Sequence, residues 1–428
     1  MHRLVLHNLG PVKDCDINVN DFMVFTGPQA SGKSTIAKAV FFFRTVKDEI
    51  LDCLVKKSKM EITGDWKNHL KNSLIIKFYR LFISTPNFTG DFEATYYYGD
   101  SVYISVCVSP EYENSDRLLD YVNIYFSDKI LEHISLLDSH HAADAKYKVI
   151  QTQEAQRMSQ LFSDQYTTVF IPAGRSLISC MPDLFKDLFD NMNRRQSLNT
   201  DYSVQRFVDF IHRLRQYLSD GISGMLSDAK LLGNEINLPR VEKAEKIIEI
   251  ILKGKYWCRQ GLDGLTISSE KQIPLKQASS GQQEAVWVSN IVFYYLTENT
   301  RVFLIVEEPE SNLYPDTQKE LTELLSLFHN AGNQVLITTH SPYVLGTLNN
   351  LIYASDIAAR GVEGVEKIID SDCWLKKDKI SAWHVENGIP NNATEGELGL
   401  IQSDVIEGAS IKMMDDCDAL YDLSAREE

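Results

Sequence analysis

The runs Arg3-Leu-Val-Leu-His7 and Phe22-Met-Val-Phe-Thr26 predict two short strands near the start of the chain, and a glycine loop follows the second. From Ser34 onward Ile36, Ala37, Val40 and Phe41 fall on one face of a predicted helix. Residues 74–83 and 92–108 are rich in β-branched and aromatic side chains and predict strands, with a hairpin in 96–103 turning at Gly99-Asp100. Residues 127–165 predict mostly helix, and Val169-Phe-Ile-Pro172 a buried strand followed by Ala-Gly-Arg-Ser. From about 181 to 255 the pattern is that of polar-faced helices, as in Phe207, Ile211, Leu214 and Leu218. No heptad seam lasts long enough for a coiled coil. Two unbroken apolar runs, one from Arg301 to Val306 and one from Gln334 to Ile337, predict strands buried on both faces, as in a parallel sheet. After about 373 the chain is acidic and predicts helix. There is no internal repeat.

Composition changes this picture little. The chain has 428 residues, 44% of them hydrophobic and 24% charged, which suits a folded chain with a sizeable core. The formal net charge of −16 argues against a general polyanion binder, although a local basic groove would still permit nucleic acid. The 7 cysteines are scattered, with no C-x-x-C pair, so neither a disulfide framework nor a zinc site is expected, and a reducing cytoplasm is the simplest setting. No apolar run approaches the ~20 residues of a membrane span, so no membrane partner is expected.

The chemistry begins in the glycine loop. Gly27, Pro28, Gln29, Ala30, Ser31, Gly32, Lys33 and Ser34 satisfy G-x-x-x-x-G-K-[ST], between a predicted strand and a predicted helix. With Thr35 they make a cradle for phosphate: glycines let backbone N–H groups turn inward, and the helix start adds a positive end. Lys33 is placed to reach the β- and γ-phosphates and Ser34 to ligate Mg²⁺. The apolar run from Arg301 ends in Glu307-Glu308-Pro309-Glu310. Acids at the carboxyl end of a buried strand sit where such sheets bind ligands. Glu307 is expected in the Mg²⁺ shell and Glu308 as the group that orients or deprotonates the attacking water. Alone, each of these segments has a plainer explanation, such as a solvated turn.

Ala278-Ser279-Ser280-Gly281-Gln282 precedes a very apolar helix that leads into the acidic strand. By itself it could be a simple N-cap. In this company the chain resembles the ABC-type ATPase superfamily, whose signature the pentapeptide matches except at Ala278 and Ser280. The resemblance implies an ATPase whose Ser279, Ser280, Gly281 and Gln282 act on the nucleotide of a second copy, so that the active site forms in an ATP-dependent homodimer or higher even oligomer. It also implies that His340, at the end of the strand starting at Gln334, senses the γ-phosphate. The resemblance covers about 1–40 and 275–345; together with the residue pattern it leads to an expected α/β head with a mixed sheet, an antiparallel β portion and an inserted helical lobe: residues 1–180 and 256–372 as the head, 181–255 as the insertion, and 373–428 as an acidic helical tail.

The wording of these segments narrows the branch. Glu307-Glu-Pro-Glu-Ser-Asn-Leu-Tyr-Pro315 and Thr338-Thr-His-Ser-Pro342 resemble the OLD (overcoming lysogenization defect) group of bacterial ATPases, with Tyr314 in place of the usual His; Ile171-Pro-Ala-Gly-Arg175 resembles a segment of that group carrying a conserved Arg. The group's nucleases carry a Toprim domain after the ATPase, for which the residues after His340 are too few. The acids at 415, 416 and 418 read as an acidic helix. The implied function is a nucleotide-driven dimerisation switch that controls a separate effector protein in a bacterial defence or toxin-regulating system. The alternative is a DNA-repair ATPase of the RecF or SMC kind, for which Arg194, Arg195, Arg213 and Arg215 are candidate DNA contacts.

Overall fold

The computed structural model describes residues 2–59, 61–62, 65–82, 92–108, 122–140, 147–233, 236–267, 271–298 and 300–402, together with residues 405, 408, 413–418 and 420. The chain opens with β1 (His2–Leu9) and β2 (Val12–Val19), then β3 (Phe22–Thr26), from which the glycine loop leads into the helix Lys33–Arg44. After helices Val46–Ser58 and Trp66–Leu81 come β4 (Glu93–Gly99), β5 (Val102–Val108) and β6 (Val122–Phe126). These complete an antiparallel sheet of order β2-β1-β4-β5-β6.

Helices Asp128–His140 and Tyr147–Leu161 lead to β7 (Thr167–Ile171). A run of helices follows, from Ser176–Cys180 to Leu238–Leu252, and then a small antiparallel sheet of β8 (Lys255–Arg259), β9 (Leu262–Thr266) and β10 (Gln272–Pro274). The helix Ser280–Thr297 feeds β11 (Val302–Glu307), and the helix Pro315–Asn330 connects it to β12 (Gln334–Thr338). Last come the helix Pro342–Ala359, β13 (Ile380–Glu386) and β14 (Ile389–Asn392).

The central sheet has the order β14-β13-β3-β12-β11-β7, with every pair parallel except β13–β14. Alternate residues of its strands enter two different cores. Phe22, Val24, Val302, Leu304, Val306, Val335 and Ile337 face one cluster, and Met23, Phe25, Phe303, Ile305 and Leu336 the other. That is why these strands read as unbroken apolar runs: neither face meets water. Each such side chain contributes roughly 1.5–3 kcal/mol on burial, so the sheet is a stiff platform for the loops at its ends. The fold is α/β with a mixed central sheet, an antiparallel sheet beside it and helices between β7 and β8, as the sequence predicts.

Several expectations need correction. Residues 74–81 are helical, the end of Trp66–Leu81, and not a strand. Asp65 caps that helix by accepting from the Lys67 N–H at 3.0 Å, and Trp66, Leu70, Leu74, Phe78 and Leu81 bury one stripe. Packing of that stripe outweighs the β preference of its Ile and aromatic residues. Residue 83 lies outside the described residues. The hairpin between β4 and β5 turns at Asp100-Ser101, between the paired Gly99 and Val102, one residue on from the expected place. The stretch after 373 is not a helical tail throughout. Ile380–Glu386 pairs in parallel with β3, and among the described residues helix returns at 405 and 408, at 413–418 and at 420.

Candidate nucleotide site

Parallel strands place their carboxyl ends together, and ligands of open sheets bind there. At this edge the loops after β3, β12, β11 and β7 converge. Gly27 and Gly32 have φ of 134° and 114°, conformations that a side chain rarely adopts. A Cβ on Gly27 would lie 2.2 Å from the Val385 carbonyl oxygen, and one on Gly32 would lie 2.8 Å from Val12 Cγ2. Ala30 adopts φ 60° despite its methyl group. Pro28, Gln29 and Ala30 are exposed, Ser31 is buried with an unpartnered hydroxyl, and Thr35 is half-buried. Gly32 caps the helix Lys33–Arg44 without a side-chain hydrogen bond, so the helix start offers its N–H groups to an anion.

Lys33 is buried. Its Nζ donates to the Gly27 and Pro28 carbonyls at 2.8 and 2.7 Å. Burial holds its pKa below the usual lysine value, against the opposing pull of Glu308 and Glu310. One residue on, the Ser34 hydroxyl lies near the Glu307 carboxylate and favours its charged form.

Glu307 is 5% exposed. One carboxylate oxygen accepts from the Ala173 N–H at 3.2 Å, while Oε1 lies buried with no partner. Burial raises its pKa, opposed by the Lys38 charge and the nearby Ser34 hydroxyl. A buried carboxylate with a free oxygen beside a serine hydroxyl suits a hard, oxygen-seeking cation such as Mg²⁺, which takes few protein ligands and keeps its waters. The residues present therefore fit Mg²⁺. Among the described residues there is no group of three or more His, Cys, Asp or Glu that could hold a metal by itself.

Glu308 has φ 44°, a left-handed backbone unusual for a residue with a Cβ. Its N–H donates to the Thr338 carbonyl at 2.9 Å, and its carboxylate is partly exposed, with His340 Nδ1 3.7 Å away. Glu310 is buried and accepts from Thr339 Oγ1 at 2.6 Å and from the His340 N–H at 3.0 Å, so it fixes the histidine loop from below. The site thus brings Lys33, Ser34, Glu307, Glu308 and His340 together.

The pentapeptide forms a separate element. Ser279 is the N-cap of the helix Ser280–Thr297, in a capping box with Gln282: its Oγ accepts from the Gln282 N–H at 3.3 Å and its own N–H donates to Gln282 Oε1 at 3.0 Å. Gln282 Nε2 donates to the Leu252 carbonyl at 2.7 Å. Ser279 and Ser280 are exposed, whereas Gly281 is buried, and a Cβ there would stand 2.6 Å from the Asn312 carbonyl oxygen. The signature element is therefore packed against the turn that follows the acidic strand.

Sequence reasoning singled out Arg175 only through a resemblance and gave it no role, and it missed Glu284. Arg175 is fully buried beneath the acids, and Glu284 lies beside it. Glu310 stands in the same acidic run as Glu307 and Glu308, and only burial sets it and Glu307 apart from the partly exposed Glu308. Of the arginines considered for nucleic acid, Arg215 is buried in ion pairs with Asp183 and Asp263, Arg213 is exposed, and the side chains of Arg194 and Arg195 lie outside the description. No helix among the described residues is long and apolar enough to cross a membrane.

Residues 1–345 match the model of the AAA ATPase domain family. The energy-coupling factor transporter ATP-binding protein EcfA1 of Thermotoga maritima is 28% identical over 153 residues, covering 33% of this chain and 52% of that protein. The uncharacterized protein MJ1542 of Methanocaldococcus jannaschii is 29% identical over 87 residues, covering 20% of this chain and 10% of that protein. The matches thus span about half the length of the first relative and a tenth of the second. Among solved structures, the Smc head bound to the C-winged helix domain of ScpA aligns over 91% of this chain and 95% of that chain, with 12% identity and a TM-score of 0.40.

Proposed function

From a chain that belongs to the AAA ATPase domain family, we propose an ATP-hydrolysing dimerisation switch that controls a partner protein. The supporting observation is the convergence of Lys33, Ser34, Glu307, Glu308 and His340 at the carboxyl ends of β3, β11 and β12. The family and the ATP-binding relative support ATP as the nucleotide. The backbone N–H groups of Gln29 to Ser34, with Lys33, bind the phosphates. Ser34 and Glu307 hold Mg²⁺, which supplies charge neutralisation at the phosphate oxygens. Glu308 takes the proton of the attacking water, and His340 reads the γ-phosphate beside it. Ser279 and Gly281 complete the site of a second copy. The OLD-like wording of the acidic and histidine segments supports a separate effector in a bacterial defence or toxin-regulating system.

The test is Glu308→Gln. The amide keeps the shape but cannot act as base, so hydrolysis should fall by about 10²–10⁴ while ATP stays bound, and an ATP-bridged dimer should accumulate on size exclusion. A wild-type rate would take the base role away from Glu308. Salt-dependent DNA binding by the trapped dimer would instead select the DNA-repair alternative.

A further inference from the structure

Arg175 follows β7 and is 0% exposed. Burial lowers its pKa, although Glu284, Glu310, Glu307 and Glu308 surround it. A guanidinium has five N–H donors in a rigid plane, and here they meet five backbone carbonyls. Nε donates to Glu284 at 2.8 Å, Nη1 to Pro172 at 3.1 Å and Glu307 at 2.9 Å, and Nη2 to Glu308 at 3.2 Å and Pro309 at 3.5 Å. The three carbonyls of Glu307, Glu308 and Pro309 are consecutive, and Glu308 is the residue held at φ 44°. Such a backbone persists only where its surroundings over-determine it, and the arginine fork does so here.

The other end of the contact lies on a different element. Glu284 belongs to the helix that Ser279 caps. Its Oε1 accepts from the Ser176 N–H at 3.1 Å and its Oε2 stands 3.5 Å from Arg175 Nε. One guanidinium therefore joins the start of the signature helix to the backbone on both sides of Glu308. None of its hydrogen bonds reaches residues 27–35.

We propose that Arg175 is the positioning residue for hydrolysis, setting Glu308 and coupling that setting to the helix of Ser279. This rests on the proposed roles of Glu308 as base and Ser279 as the element facing a second copy. When Ser279 engages a partner's phosphate, a rigid helix carries the displacement to Glu284, and Arg175 passes it to the Glu308 backbone. A shift on the order of 1 Å in a reacting group is enough to change a rate by about 100-fold.

The experiment measures steady-state ATP hydrolysis and calorimetric ATP affinity for Arg175→Lys, Glu284→Gln, Ser279→Ala and the pairwise combinations with Ser279→Ala. Lysine keeps the charge but not the planar fork. Arg175→Lys should lower kcat by about 100-fold with ATP affinity changed less than about threefold, because it touches no loop residue. Glu284→Gln keeps the shape and should lower kcat by about tenfold. Each combined with Ser279→Ala should cost less than the product of the single losses, since one path carries both effects. Wild-type kcat in either single variant, equal losses of affinity and kcat, or strictly multiplicative effects would overturn the proposal. Should Arg175→Lys fail to fold, Glu284→Gln alone decides it. Wild-type hydrolysis by Glu308→Gln would instead overturn the site assignment beneath it, so the two failures read differently.

Discussion

Replacing Gly27 by alanine probes how the phosphate loop is held. At φ 134° a Cβ is strained, which costs about 1–3 kcal/mol in a region reserved for glycine. The new methyl carbon would also stand 2.2 Å from the Val385 carbonyl oxygen, where no real contact falls below 3.0 Å, so the loop or β13 must give way by about an ångström. Overpacking of this kind costs about 1–3 kcal/mol more. The sum, about 2–6 kcal/mol, is a large share of the ~5–15 kcal/mol by which a fold is stable. Gly361 serves as a control: it has φ 85° with nothing within 4 Å of its Cβ, so alanine there meets strain without a clash. Thermal unfolding followed by circular dichroism should show Gly27→Ala melting below wild type by a few degrees, on the order of 2–7 °C, and below Gly361→Ala. Its ATP affinity should fall as well, because the loop can no longer close over phosphate. Equal melting temperatures for the two variants, with unchanged ATP binding, would refute the claim that β13 buttresses the loop.

Lys33→Ala should abolish ATP binding or weaken it by at least about 100-fold, measured by calorimetry. Glu307→Gln should remove Mg²⁺-dependent hydrolysis yet raise the melting temperature of the nucleotide-free protein by a few degrees. The sign follows from the raised pKa of Glu307: its share of stability is full below the ordinary value of 4.5 and is lost as pH rises through the folded-state pKa. The advantage of Glu307→Gln in pH-dependent melting should therefore be small near pH 4.5 and larger at pH 8. Ser279→Arg should block hydrolysis while monomeric ATP binding survives, and mixing it with Lys33→Ala should restore part of the activity through one intact shared site. Wild-type activity per chain that stays constant on dilution far below the dimer's dissociation constant would contradict a shared site.

The sheet strands and their site residues were legible because two-sided burial writes a pattern that needs no knowledge of the neighbours. β11 and β12 could be read together with the acids and histidine at their ends. The helix Trp66–Leu81 was not, because Leu74-Ile-Ile-Lys-Phe-Tyr has the composition of a strand and only its packing partners decide otherwise. β13, Ile-Ser-Ala-Trp-His-Val-Glu, mixes polar and apolar residues, and its place is set by pairing with β3 at the far end of the chain. The Arg175 clamp was hidden for a related reason. Its acceptors are main-chain carbonyls of distant segments, and a carbonyl has no letter in the sequence.

The strand order also sets when the site can come into being. β3, which launches the phosphate loop, lies between β12 and β13, so residues 22–26 find both neighbours only after residues 334–338 and 380–386 exist. The antiparallel sheet, by contrast, draws all its strands from residues 2–126. On a ribosome adding about 5–20 residues per second, that sheet can close while the loop waits tens of seconds for its flanks. A nascent chain therefore displays its full glycine motif long before it can grip a nucleotide. For the same reason a cut between residues 360 and 379 would disarm the loop, although Gly27 to Ser34, the acids and His340 would all remain in the larger fragment.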